Sequence, residues 1–391
     1  MADVFDGRTA NDFLSDPDTR VAYGEEINKE MMVKSKVAPF IAKNPNDEGA
    51  IIKGVVGTLE QGNNFRVPFV DELLDAGARG NVKFNATEEE LKKLSMFVKV
   101  DVIQHSVPST ETVLNPTSAN KFRTTATNKL KNWGVRKFDN IVISAFTADC
   151  TNIVACGNHT DGTTANIEVT DKFSLDDVSE AKRRAEQGFA YDASGNKIDV
   201  PQLLPFKQEE NAQLGYFETL NYYVMWIGSD AESDLKQDPN WINAQKEAKE
   251  RGGNNPLFTG SLGFWDGVLL LPFKTANLRQ SGILRSDSSA FTGFSNVKKY
   301  DLTKYNGKLG IATEINLFLG AGAGVIAVDQ PANFYDWADK DDPRFMKAGT
   351  DKVFAFGKTR YSSKDNDDLL EDNVYNNKDF GVIAVVSPCR A

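Results

Sequence analysis

The chain runs to 391 residues, 40% hydrophobic and 26% charged, with a formal net charge of −10; that composition excludes a disordered or collagen-like chain, and its acidity argues against a protein whose main task is to coat duplex DNA. The only histidines are His105 and His159 and the only cysteines Cys150, Cys156 and Cys389, too few for a disulfide framework or an intensive metal or acid–base enzyme. No apolar run approaches the ~18 residues of a membrane span, and Met1 to Arg8 lacks a basic segment leading into an apolar one, so neither a membrane anchor nor a signal peptide is expected.

Residues 1 to 20 are polar and Asp-rich, without a sustained period, which predicts an arm that stays loose unless a partner ties it down. From Thr19 to Ile41 the positions Val21, Ile27, Met31, Met32 and Val37 approximate a helical stripe, limited by Pro39. Ile51 to Val56 and Phe65 to Val70 read as strands around a turn at Gln61 to Asn64, and Pro68 marks the second as an edge strand. A polar excursion from Asp71 to Glu90 follows, then a strand over Ser95 to Ile103. Two strands with a charged tip and little core of their own predict a projecting hairpin.

The strongest helical pattern spans Ser118 to Ala148, where Phe122, Ala126, Leu130, Trp133, Val135, Phe138, Ile141, Val142, Ala145 and Phe146 recur mostly at three- and four-residue steps. Such a helix is about 45 Å long, which implies an elongated molecule. Lys121, Arg123, Lys129, Lys131, Arg136 and Lys137 lie between the apolar positions. In an acidic chain this basic face reads as solvated or subunit-facing rather than as a DNA site. A shorter helix is expected from Ser174, which can cap it with Asp177 three residues on, to Gly188. Tyr222 to Ile227 reads as a buried strand, Ser229 or Asp230 as the cap of a short helix, Trp241 to Lys249 as another helix, and Val268 to Pro272 as a strand. After an excursion from Lys274 to Lys308, Ile311 to Val328 is small and apolar around Gly320 to Gly324. Strands at Lys352 to Gly357 and Phe380 to Val386 flank an acidic loop, Ser362 to Asp379. The pattern is α+β, with arms and insertions beyond the needs of one compact monomer.

Chemical motifs are sparse. Gly320 to Gly324 fails the dinucleotide fingerprint because Val325 stands where a third glycine is required, so close packing or a bend is the reading. Asp336 to Asp342 lacks the spacing of a cation loop and reads, like Asp365 to Asp372, as solvated acid. Cys150, Cys156 and His159 do not supply the paired ligands of structural zinc, and Cys156 with His159 is thin support for a nucleophile–base pair. His105, after an apolar strand, reads as a hydrogen-bonded structural residue. No metal, cofactor or catalytic residue is assigned.

The order of parts, with Phe122 to Phe146, Leu175-Asp176-Asp177-Val178 leading to Ala181-Lys182-Arg183-Arg184-Ala185, Tyr222-Tyr223-Val224-Met225, Asp238-Pro239-Asn240-Trp241 and Asn255-Pro256-Leu257-Phe258-Thr259-Gly260-Ser261-Leu262-Gly263, resembles the major capsid proteins of tailed bacteriophages. It is most similar to the coat family of the N-four-like podophages. The resemblance covers roughly Ala38 to Val386 and is weakest in Met1 to Arg20 and Lys274 to Lys308. It implies the Hong Kong-type tailed-phage capsid fold: an N-terminal arm at 1–48, an extended-loop hairpin at 49–108, a peripheral domain with a spine helix at 109–200, an axial domain at 201–352 with the insertion 274–308, and a return to the peripheral domain at 353–391. It implies a non-enzymatic subunit that self-assembles as hexamers and pentamers into an icosahedral shell in the virion, put together in the host bacterial cytoplasm. The shell encloses double-stranded DNA without sequence-specific binding, with scaffolding, portal and decoration proteins as further partners and no membrane. Phe65, Val67, Phe69, Met96 and Val98 are expected to anchor the hairpin on a neighbouring subunit, and Tyr23, Ile27 and Met31 to dock the arm helix, because these apolar stripes lack partners nearby in sequence. The alternatives are a phage tail or decoration protein, or a cytosolic hydrolase using Cys156 and His159 or the Asp336 to Asp342 cluster.

Overall fold

A computed structural model describes residues 10–42, 49–54, 64–70, 93–113, 115–148, 150–160, 166–192, 194–210, 219–243, 263–273, 279–280, 313–328, 332–360 and 377–389. The hairpin tip, the Asn255 to Gly263 motif up to residue 262, most of 274–308 and the acidic loop at 361–376 lie outside them. Helix α1 covers Pro17–Lys34 and α2 covers Pro116–Thr147. Asp16 caps α1 through the Thr19 amide, so the helix begins before the expected Thr19 and ends before Pro39. Asn115 starts α2: it accepts from the Ser118 amide at 2.8 Å while Ser118 accepts from its amide at 3.2 Å, which satisfies donors a helix start leaves open.

Around α2 stand two sheets. The smaller contains β1 (Ile52–Gly54), β4 (Asp101–Pro108), β14 (Gly324–Val328), β15 (Asn333–Ala338) and β16 (Met346–Lys358). Thr350 pairs with both His105 and Phe334, and Phe354 with both Asp101 and Val328. The long strand β16 therefore carries β4 on one edge and β15 followed by β14 on the other. Strands β2 (Asn64–Val70) and β3 (Lys93–Lys99) form the expected hairpin, Phe65 opposite Val98 and Val67 opposite Met96. The single strand predicted over Ser95 to Ile103 is two strands, β3 ending at Lys99 and β4 leading onto β16.

The larger sheet runs in the order β10 (Gly263–Trp265), β11 (Val268–Pro272), β9 (Thr219–Ile227), β13 (Thr313–Leu319), β17 (Val382–Pro388) and β5 (Asn152–Ala155). Beside it β8 (Lys207–Glu210) pairs with β9 and β12 (Arg279–Gln280) with β13, while β6 (Phe189–Tyr191) and β7 (Lys197–Asp199) make a separate pair. One face of the larger sheet, through Val224, Trp226, Leu317 and Ala384, shares a core with α2 and the smaller sheet. The other, through Tyr223, Met225, Phe318 and Val385, packs on α3 (Leu175–Gln187) and α4 (Ser229–Leu235). Strands β13 and β17 are buried throughout, which is why β17 reads as a continuous apolar run from Val382 to Val386 rather than an alternation; β13 buries Glu314 and Asn316 as well. The glycines at 320–324 sit at the turn between β13 and β14, the bend alternative of the sequence reading. In α3, Ser174 and Asp177 form the expected capping box, and Gly188 closes the helix at φ 65°, the left-handed geometry glycine adopts without a side-chain penalty. On α2, Phe138 faces Phe354 at 5.6 Å while Phe146 faces Phe356 at 5.7 Å and Trp226 at 5.9 Å. The second half of the helix thus lies between the sheets.

Candidate functional site

The parts expected to reach outward, arm and hairpin, are the parts whose seating decides what the molecule can do. Helix α1 has a polar sequence with a narrow apolar strip, so its position depends on polar anchors. Asp336 of β15, with a fully buried side chain, accepts from the Ser15 amide at 2.9 Å, the Ser15 hydroxyl at 2.7 Å, Arg20 Nε at 2.7 Å and Arg123 Nε at 2.9 Å. Arg123 also donates to the Phe13 carbonyl. Burial would raise the Asp336 pKa, but the hydrogen bonds from Ser15, Arg123 and Arg20 prevail and hold it below the ordinary carboxylate value. One carboxylate thus joins the segment before α1, α1 itself, α2 and β15.

Further anchors follow along α1. Lys131 of α2 pairs with Glu26, and buried Lys352 of β16 donates to Asn28 Oδ1, its pKa pulled down to about 8 by burial. Past the helix end, Asp139 of α2 accepts from the Ser35 hydroxyl and the Lys36 amide, and there burial prevails and raises its pKa. Ile27, Met31 and Val37 are buried in the same core as Leu130 and Phe138, and Tyr23 packs partly buried against Phe334 at 5.2 Å. The described part of the arm is therefore tied down by its own body.

The hairpin is seated in the same way. Phe65, Val67, Met96 and Val98 bury against Val325, Ala327 and Ala355 on the outer face of the smaller sheet. Beside it, buried Asp379 accepts from Lys358 at 3.0 Å, Arg360 at 2.7 Å and the Thr151 amide at 2.9 Å. The Arg360 amide meets Met96 Sδ at 3.4 Å.

The expected interface residues have intrachain partners over the described residues. Ile27, Met31, Phe65, Val67, Met96 and Val98 find partners remote in sequence within the chain: Ile27 and Met31 pack beside α2, and the four hairpin residues on the smaller sheet. Phe69 is placed only by its backbone, opposite Leu94. The solvated reading of Asp336 is corrected. It shares the inward parity of β15 with Phe334, a signal masked because Tyr335 and Trp337 put aromatics on the outward parity too. Asp339 and Asp342 do lie on an exposed turn, paired with Lys347 and Arg344. Of the basic positions on α2, Arg123 and Lys131 turn inward to acids.

The hydrolase alternatives meet a different arrangement. Cys156 is fully buried, and burial followed by the neighbouring Asp177 carboxylate drives its thiol well above the ordinary range. His159 Nε2 lies 2.7 Å from Asp177 Oδ1, a hydrogen bond that raises the imidazole pKa. A protonated thiol beside a carboxylate is a poor nucleophile. His105 lies within β4 and stacks on Trp133 at 4.8 Å. Among the described residues no group of His, Cys, Asp or Glu converges as a metal site does, and no helix is long and apolar enough to cross a membrane.

Comparison with known proteins decides the family. A family model described as phage capsid protein matches residues 27–390. The chain belongs to the phage capsid protein family. Among relatives of this capsid protein, the major structural protein ORF14 of Helicobacter pylori bacteriophage KHP30 is 22% identical over 387 residues, 94% of each chain. In structure it resembles the capsid of that phage, with a TM-score of 0.73 at 20% identity over 91% of this chain and 92% of the other. It also resembles the head of Helicobacter pylori bacteriophage KHP40, with a TM-score of 0.70 at 20% identity over 91% and 92%. The capsid of cyanophage Pam1 matches with a TM-score of 0.61 at 18% identity over 92% and 93%. The capsid protein has the α+β Hong Kong-type fold that the sequence resemblance implies.

Proposed function

We propose that this capsid protein is the major shell subunit of a tailed phage, assembling as hexamers and pentamers into an icosahedral shell around double-stranded DNA. The observation that carries the reading is the match of fold to phage capsids over nine-tenths of the chain. The division into arm (1–48), extended loop (49–108), peripheral domain (109–200), axial domain (201–352) and returning segment (353–391) belongs to this proposal. So does a structural, non-catalytic role in the virion after assembly in the host cytoplasm, with scaffolding, portal and decoration proteins as partners. Subunit contacts then fall on the outward sides of the arm and hairpin rather than on their buried stripes. Val21 and Val33, 60% and 69% exposed on α1, and the outward Tyr335 and Trp337 of β15 are the side chains offered to a neighbour. Sedimentation velocity of the purified full chain at rising concentration tests the reading: capsomer-sized or larger species support it, and a monomer at every concentration contradicts it.

A further inference from the structure

Helix α2 is strongly one-sided in charge. Its only acidic residue is Asp139, which is buried against the Ser35 turn. Between Lys121 and Arg136 the side chains of Lys121, Thr125, Asn128, Lys129, Asn132 and Arg136 are all exposed and, apart from the adjacent Asn128 and Lys129, follow one another at steps of three and four, which places them on one face. Arg136 Nε donates to the Asn132 carbonyl at 3.2 Å, laying the guanidinium along the helix. Among the described residues no carboxylate pairs with Lys121, Lys129 or Arg136, whereas Arg123 and Lys131 on the inward face are both matched to acids.

From this we infer that the exposed face of α2 is a sequence-independent binding surface for the phosphate backbone of duplex nucleic acid. Two partners are open to a cationic face, a polyanion or an acidic protein surface, and its composition selects the first. Protein interfaces are centred on aromatic or aliphatic anchors that bury in the partner, and this stripe has no exposed apolar side chain. Lys, Arg, Asn and Thr are the residue types that donate to phosphate oxygens. The distance from Lys121 to Arg136 is about 22 Å at 1.5 Å per residue, which follows roughly six base pairs of one strand. The chain's overall −10 does not cancel the stripe, because exposed charges beyond about 8 Å are screened at physiological salt. It keeps the contact weak, as a wall against which DNA must still slide requires.

The inference rests on the shell reading for its setting, but its test does not depend on a shell forming. Binding of a fluorescein-labelled mixed-sequence DNA duplex to the soluble full-length protein is measured by anisotropy across a salt series. The variants are Lys121→Glu/Lys129→Glu/Arg136→Glu and the neutral Lys121→Gln/Lys129→Gln/Arg136→Gln, and shell formation is followed in parallel. Wild type is expected to lose affinity with salt at a log–log slope of about −2.7, for three phosphate contacts at −0.9 each. Both variants should bind at least ~10-fold more weakly at low salt with a slope near zero, while assembling as wild type does. Equal DNA binding by wild type and variants overturns the inference. So does loss of assembly with DNA binding intact, which would make the stripe a contact between copies. Failure of every protein, wild type included, to assemble counts against the shell proposal alone.

Discussion

Asp336 shows how much structure can rest on one carboxylate. It is buried with Arg123, and removing one member of such a set leaves the other charge without compensation, a loss of about 3–5 kcal/mol. Its pKa lies below the ordinary 3.8 in the folded chain. The stabilisation is therefore present above 3.8 and lost as pH falls through the lower folded value. Asp139 runs the other way: its folded pKa lies above 3.8, so its contribution is complete below 3.8 and declines as pH rises through the folded value. Urea midpoints measured from about pH 6 to about pH 3 should show Asp336→Asn weakened at the upper end and missing the wild-type decline at the lower. Asp139→Asn should lose the opposite slope. Parallel curves for all three proteins would disprove the assignment. None of this was legible in the sequence, since Ser15 and Asp336 stand 321 positions apart.

Elements were legible where local chemistry determined them. Ser174, Asp177 and Gly188 define both ends of α3, and the apolar steps through α2 mark a helix that buries on two sheets. Strand β17, buried on both faces, offers an apolar run but no sign of its neighbours, and β13, equally buried, hides its burial behind Glu314 and Asn316. The arm helix was located by its stripe, yet its docking on β15 depends on Gly24, which has no counterpart in hydrophobic patterning. A Cβ on Gly24 would stand 2.7 Å from the Ala332 carbonyl oxygen and 3.3 Å from the Phe334 amide, both backbone atoms that cannot swing aside. Gly24→Ala should therefore lift α1 from β15 at a cost of about 1–3 kcal/mol. Hydrogen exchange should speed up over Pro17–Lys34 and Asn333–Ala338, while α3 keeps its protection. Val21→Ala, on the exposed side, should change neither. Unaltered exchange in Gly24→Ala would show that the arm is not held by this close approach.

At the scale of the whole molecule, an acidic chain distributes its charge unevenly. Cations pair with buried carboxylates where arm and hairpin meet the body, and a separate cationic face is left on α2 between Lys121 and Arg136. Over the described residues, the expectation of limbs without a core of their own gives way to limbs folded onto the subunit that carries them, Ile27 and Met31 on α2 and Phe65 and Met96 on the smaller sheet. A subunit of this kind reaches assembly with Pro17–Lys34 of the arm and the paired strands of the hairpin already positioned, so association costs less ordering of those segments. The most direct test is electron microscopy of the concentrated, purified protein. Closed icosahedral shells, or rings of six and five copies, are the predicted result; a field of isolated compact monomers under all assembly conditions would contradict the account.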